Sequence, residues 1–234
     1  MKNKIDEIVA WLKKVYGDKP AVIAVSGGVD SAVALTLLTR ALGKDMVTPV
    51  CLPYLDQSTV DSKTIIEWNG VSTRMVEVNI GEMVDDIAST LGAEQGSMRK
   101  GNVMARARMI VIFDLAKKLG ALVCGTENKS EHYLGYFTRF GDSASDVEPI
   151  VGLYKTEVWE MAKELGLPEI FYTKAPSAGL WDGQTDEKEM GFSYAEADKV
   201  LKGEIEGVDK AVIEKVQKMV QANKFKLEVP YMFG

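Results

Sequence analysis

The stretch that most constrains the fold is "AVIAVSGGVDSAVALTLL", residues 21 to 38. Small and β-branched residues run into a Gly-Gly turn, and an apolar helical segment follows. This is the order strand, tight loop, helix. Further strand-like runs stand at 47–52, 74–80 and 121–124, with helix-like segments at 30–42, 56–68, 82–91 and 102–119. Strands alternating with helices predict an α/β fold, an open parallel sheet flanked by helices. The last third differs. It reads as a helix near 155–165, a Gly/Pro-rich loop "KAPSAGLWDGQTDE", and helices near 194–202 and 208–221. Residues 1–234 are expected to form one domain with a helical C-terminal extension.

The loop Ser26-Gly27-Gly28-Val29-Asp30-Ser31 lies at the carboxyl end of the first strand, where open parallel sheets bind ligands. Backbone N–H groups of such a turn, at a helix N-terminus, favour an anion. Ser26 and Ser31 can add hydroxyl donors. The loop lacks the Gly-Lys-Ser/Thr of a Walker A motif, and it is not Gly-x-Gly-x-x-Gly. Asp30 is the odd member. A carboxylate beside phosphate repels it unless a cation intervenes, so Asp30 points to Mg²⁺. The plainer alternative makes Ser26 and Asp30 helix caps around a tight turn.

Composition excludes several classes. The chain carries a formal charge of −6, which disfavours nonspecific nucleic-acid binding. No apolar run is long enough to span a membrane, and "MKNKIDEIVAWLKK" reads as an amphipathic helix rather than a signal peptide. Cys51 and Cys124 sit in apolar runs, as buried thiols of a reducing compartment do. One histidine, His132, and no cysteine cluster argue against structural zinc.

Three later stretches carry chemistry. In "RKGNVMARARM" (99–109), Asn102 and Arg106 share a helix face, and Met109 is expected to face the core. In "LVCGTENKSEHYLGYFTRFGDSASD" (122–146), a buried strand ends at Gly125. Thr126 is placed to cap the next helix, and Glu131, about a turn in, can face Asp30 across the sheet edge. Two carboxylates on one cation make a Mg²⁺ site. Arg139, Asp142 and Asp146 follow in a loop. In "VGLYKTEVWEMAKELGLP", Lys155 opens a helix.

The loop resembles the pyrophosphate loop of the N-type ATP pyrophosphatases. With "KGN..AR.RM", "GT.NKSE...GYFT..GD...D", "K..V..MA..LG.P" and the segment from Pro176 to Asp198, nearly the whole chain resembles the NAD synthetases, in their short ammonia-dependent form. That resemblance implies two steps: deamido-NAD attacks the α-phosphate of ATP, then ammonia converts the acyl adenylate to NAD and AMP. It implies that Ala24, Val25, Ser26, Gly27, Gly28, Val29, Asp30 and Ser31 hold ATP phosphates. Thr126, Lys155 and Ser177 would also contact ATP, and Asp30 and Glu131 would bind Mg²⁺. Arg106, Arg139, Asp146 and Lys226 would contact deamido-NAD. Phe225 stands where the family has a histidine, and Cys51 where many members have an arginine, so Gln57 is expected to help rebuild that contact. Asp142 would lie near the ammonia site, either as a loop turn residue or as the carboxylate that removes a proton from ammonium. His132 is expected to be a helix-face residue. The resemblance further implies a homodimer and no glutamine amidase domain. The cysteines fit a cytoplasmic protein, and the loop 173–190, rich in Gly and acids, is expected to act as a lid. The rivals are another ATP pyrophosphatase, such as a tRNA thiolase or GMP synthetase, and a non-catalytic nucleotide sensor. The sensor would need the loop but not Arg106, Glu131 or Asp146.

Overall fold

The computed structural model describes residues 1–93, 97–177, 183 and 185–228. The elements run α1 (Lys2–Tyr16), β1 (Ala21–Ala24), α2 (Val29–Leu42), β2 (Val47–Cys51), α3 (Val60–Trp68), β3 (Val76–Glu77), α4 (Gly81–Leu91), α5 (Met98–Leu119) and β4 (Leu122–Cys124). They continue as α6 (Lys129–Leu134), α7 (Lys155–Leu165), α8 (Ile170–Thr173), α9 (Asp186–Met190), α10 (Tyr194–Lys202) and α11 (Lys210–Asn223).

The sheet order is β3-β2-β1-β4, and every pairing is parallel. The chain builds outward from β1 through β2 to β3, then crosses to the other side of β1 as β4. This reversal opens a crevice between the carboxyl ends of β1 and β4, the place where such sheets take ligands. One face of the sheet packs on α1, α2 and α7 through Leu12, Leu35, Leu38, Val158 and Met161. The other packs on α4 and α5 through Val84, Val103, Met104 and Ile112. A separate small core, with Leu134, Phe192, Ala197 and Val216, joins α6, α10 and α11.

All four expected strands form, though the run at 74–80 pairs only over Val76–Glu77 because Ser72–Arg74 closes into a 3₁₀ turn. The helix expected over 102–119 begins earlier, at Met98, where the Ser97 side chain caps it by accepting the Lys100 N–H at 3.2 Å. The core face of α5 also differs from expectation. Met104 and Ala107 are buried in the sheet-facing core, whereas Met109 is only half-buried and outside it. Of the expected lid, residues 178–182 and 184 lie outside the described residues. Among the described residues, no helix is long and apolar enough to cross a membrane.

Candidate active site

The glycine loop turns sharply at Gly27, whose φ is +80°. A Cβ there would stand 2.8 Å from Asp61 Cβ and 2.9 Å from the Ser62 backbone nitrogen, so only glycine lets the loop lie against the start of α3. The two serines brace the turn from inside. Ser31 Oγ donates to the Gly28 carbonyl at 3.0 Å and accepts the Ser26 N–H at 3.2 Å. Gly28 N–H reaches Ser26 Oγ at 3.3 Å. The α2 N-terminus is thus held open toward the crevice with Asp30 in its first turn.

Across the crevice, α6 starts with a capping box: Asn128 Oδ1 accepts the Glu131 N–H at 3.0 Å, and Glu131 Oε2 faces the Asn128 N–H at 3.4 Å. The cap is therefore Asn128, not Thr126 as expected, because Asn128 has the Glu partner three residues on. Asn128 also ties the two strand ends together, its Nδ2 donating to Asp30 Oδ1 at 2.9 Å.

Lys155 completes the junction. Its Nζ donates to Asp30 Oδ2 at 2.5 Å and to Glu131 Oε1 at 3.1 Å. Its side chain is 2% exposed, against 16% for Asp30 and 17% for Glu131. The ammonium also lies 4.9 Å from the centre of the Tyr194 ring. The Lys155 N–H donates to Ser130 Oγ at 2.8 Å, Ser130 donates to Asp198, and Asp198 accepts the Thr156 N–H at 2.9 Å. The Tyr194 hydroxyl lies 3.1 Å from Asp186 and 3.4 Å from Glu131. Burial pushes the Glu131 carboxyl up, the Lys155 ammonium pulls it down, and Asp30 adds to the rise. Burial would lower Lys155, but the Asp30 and Glu131 carboxylates outweigh it and hold the ammonium charged.

Beside this junction is a pocket of about 50 Å³ lined by Thr126, Glu127, Glu131, Tyr136, Phe137, Asp142 and Ser143. It is roughly the size of one or two waters. Asp142 Oδ1 accepts the Thr138 N–H at 2.7 Å. Asp142 stays open to solvent in this concave wall, yet the surrounding chain pushes its carboxyl up, against the Thr138 N–H. His132 is half-buried on the face of α6, 3.2 Å from Glu127 and stacked on Phe137, the helix-face place expected for it.

The structure gathers Asn102, Arg106, Arg139 and Lys226 around the loop after α6, and leaves Ser177, Gln57 and Cys51 elsewhere. Arg106 donates to the Arg139 carbonyl at 3.3 Å, and Arg139 donates to the Glu228 carbonyl at 2.5 Å. Asn102 accepts the Thr138 hydroxyl at 2.7 Å. Asp146 completes a sheet edge, its carboxylate accepting the Val123 N–H at 2.8 Å. Lys226 donates to two backbone carbonyls, and Phe225 is 50% exposed. Ser177 stands in the exposed segment after α8. Gln57 accepts from Arg108 at 3.0 Å, while Arg108 Nε donates to the Leu52 carbonyl at the end of β2. Cys51 is fully buried in β2. Sequence reasoning missed Asn128, Ser130, Asp186, Tyr194 and Asp198. The spacing of Asn128 and Glu131 was a readable capping signal, whereas Asp198 lies 68 residues from Ser130.

Among the described residues, no group of three or more His, Cys, Asp or Glu gathers as a metal cage. Two carboxylates sharing one buried ammonium are a different donor set. The ammonium holds one oxygen of each, so the pair would take a hard cation, completed by phosphate oxygens, only where Lys155 releases them.

A family model described as NAD synthase matches residues 3–230. The NH₃-dependent NAD⁺ synthetase of Pyrococcus furiosus is 43% identical over 97% of this chain and 92% of that protein. That of Pyrococcus horikoshii is 41% identical over 97% and 93%. Among solved structures, the NMN synthetase of Francisella tularensis superposes with a TM-score of 0.90 at 33% identity, covering 99% of this chain and 97% of that one. The NH₃-dependent NAD synthetase of Campylobacter jejuni gives 0.84 at 27%, covering 100% and 99%. With its carboxylate–lysine junction at the sheet's switch point and this likeness along its whole length, the chain belongs to the NAD synthase family.

Proposed function

We propose that this chain converts deamido-NAD to NAD with ammonia as nitrogen donor, splitting ATP to AMP and pyrophosphate. The observation that carries this reading is the convergence of Asp30, Glu131 and Lys155 beside the α2 N-terminus. The nicotinate carboxylate attacks the α-phosphorus of ATP, and the bond to the bridging oxygen of pyrophosphate breaks. Ammonia then attacks the acyl carbon of the adenylate, and AMP leaves. The first step gathers charge on phosphate, so positioning and charge neutralisation dominate. The N–H groups of residues 24–31 and the α2 N-terminus receive that charge, with Thr126, Lys155 and Ser177 as further contacts. Asp30 and Glu131 would hold Mg²⁺, whose role when bound is to neutralise the phosphates. Arg106, Arg139 and Asp146 contact the dinucleotide. Asp142 takes a proton from ammonium on the way to the amide.

The chain acts as a single synthetase domain. It works as a two-fold dimer, which light scattering of the purified protein should report at micromolar concentration. Its two buried, unpaired cysteines suit the cytoplasm.

The likeness to an NMN synthetase raises a second reading, with a mononucleotide acid as substrate. One assay separates them. The protein is incubated with ATP, Mg²⁺ and ammonium or glutamine, together with deamido-NAD or nicotinate mononucleotide. NAD and AMP formed in equal amounts from deamido-NAD and ammonium support the main reading. Amide formed only from the mononucleotide supports the second, and no amide with ammonium rejects both.

A further inference from the structure

The α6 helix ends at Leu134, and the Gly135 and Tyr136 N–H groups take its His132 and Glu131 carbonyls. The Leu134 carbonyl and two carbonyls just beyond the helix are met from the end of α11 and the 3₁₀ turn that follows it. Asn223 Nδ2 donates to the Leu134 carbonyl at 3.0 Å and to Met219 O on its own helix at 3.1 Å. Lys226 Nζ donates to the Gly135 carbonyl at 2.6 Å and the Phe137 carbonyl at 2.9 Å. The same ammonium lies 5.3 Å from the centre of the Phe137 ring. Gly135 is left-handed (φ +62°), and a Cβ on it would stand 2.3 Å from Asn223 Cβ. Only glycine allows this approach. One residue further on, the chain becomes the pocket wall: Tyr136 and Phe137 line it with Asp142, and Asp142 is pinned to the Thr138 N–H.

We propose that Asn223 and Lys226 are positioning residues for the ammonia step: they clamp the carboxyl end of α6 and so set where Tyr136–Asp142 stands. The inference rests on the amidation reading above. It gives Lys226 a role beside the substrate contact expected by resemblance, two of its three donors holding backbone carbonyls. Asn223 is part of the same device although no motif marks it. A shift of about 1 Å in a reacting group is enough to cost catalysis heavily.

The test uses full-length Asn223→Ala, Lys226→Met, Lys226→Arg and the double variant Asn223→Ala/Lys226→Met. Ammonium is varied at saturating ATP and deamido-NAD, deamido-NAD affinity is taken by calorimetry, and amide hydrogen exchange is followed over residues 136–142. Each of the first two variants is expected to lower kcat/KM for ammonium about tenfold, and Asn223→Ala to leave deamido-NAD affinity within about twofold. The double variant should lose less than the product of the single losses, because both residues hold one element. Exchange should quicken in both single variants, and Lys226→Arg, which keeps donors for both carbonyls, should restore most of the activity. A loss of deamido-NAD affinity confined to Lys226→Met, with exchange unchanged, would overturn the clamp and return Lys226 to substrate binding. Unchanged ammonium kinetics in both variants would overturn it as well. If the unaltered protein makes no amide from either nucleotide, the amidation reading fails, and the positioning role falls with it even where the exchange pattern persists.

Discussion

The Lys155 ammonium bridges Asp30 and Glu131, 2.5 Å from one carboxylate and 3.1 Å from the other, and so joins the helices that leave β1 and β4. The bridge offsets the repulsion between two carboxylates that would otherwise face each other across a buried crevice. Removing the ammonium leaves both uncompensated. Lys155→Met is therefore expected to unfold about 3–5 kcal/mol more easily, the usual cost of breaking a buried ion pair from one side. Urea denaturation at pH 7 measures it, and a change within about 0.5 kcal/mol would mean that the bridge is not structural.

Gly27 offers a test of the loop. Its positive φ and its contact with the start of α3 exclude any side chain without local rearrangement. Gly27→Ala should cost about 1–3 kcal/mol of stability and weaken ATP binding at least about tenfold. Calorimetry with ATP reads the second effect, and unaltered affinity would separate the turn from the phosphate site.

Glu148 gives a pH signature. Burial pushes its carboxyl up to about 7, against the hydrogen bond from Ser145 at 2.7 Å, while the Glu127 carboxylate adds to the rise. An unfolded glutamate titrates near 4.5. Between those values the folded chain binds more protons than the unfolded one, so the contribution favours the fold at low pH. It is fully present below about pH 4.5 and is lost as pH rises through about 7. Glu148→Gln should then be more stable than the parent at pH 8, by about 1–3 kcal/mol, and equal to it near pH 4. A stability difference that is the same at both pH values would contradict this.

Asp142 should matter to one half of the reaction only. Asp142→Asn is expected to lower kcat with ammonium about 10²–10³-fold. Deamido-NAD-dependent exchange of labelled pyrophosphate into ATP should continue, since forming the adenylate needs no proton removed from ammonium. Equal loss of both activities would move Asp142 from proton transfer to the shared architecture.

Local features were legible in the sequence. Residues 21–31 fix their own strand, turn and helix start, because the β-branched run, the glycines and the two serines that brace the turn lie within a few residues of each other; Gly28, not Ser26 or Asp30, is the cap. The approach of Glu131 to Asp30 is legible because each follows a strand end by a short, fixed distance, and Lys155 bridges the two. What was not legible depends on distant pairings. Asp198 reaches Ser130 across 68 residues, and Lys226 reaches Gly135 across 91. Neither pairing leaves a periodic or spaced trace in the chain. Thr126 and Asn128 are both good capping residues, and only the Glu131 side chain decides between them. The α5 core face shows a related limit: α5 has apolar residues on several faces, and the sheet, not the pattern, selects Met104 and Ala107 over Met109.

The most direct test of the central claim follows the carboxylate oxygens of deamido-NAD through one turnover. Both are labelled with ¹⁸O, and the AMP formed with ATP, Mg²⁺ and ammonium is weighed by mass spectrometry. Attack of the carboxylate on the α-phosphorus predicts AMP carrying one labelled oxygen and NAD retaining the other. Unlabelled AMP alongside NAD would contradict the adenylate route on which the roles of Asp30, Glu131 and Lys155 depend.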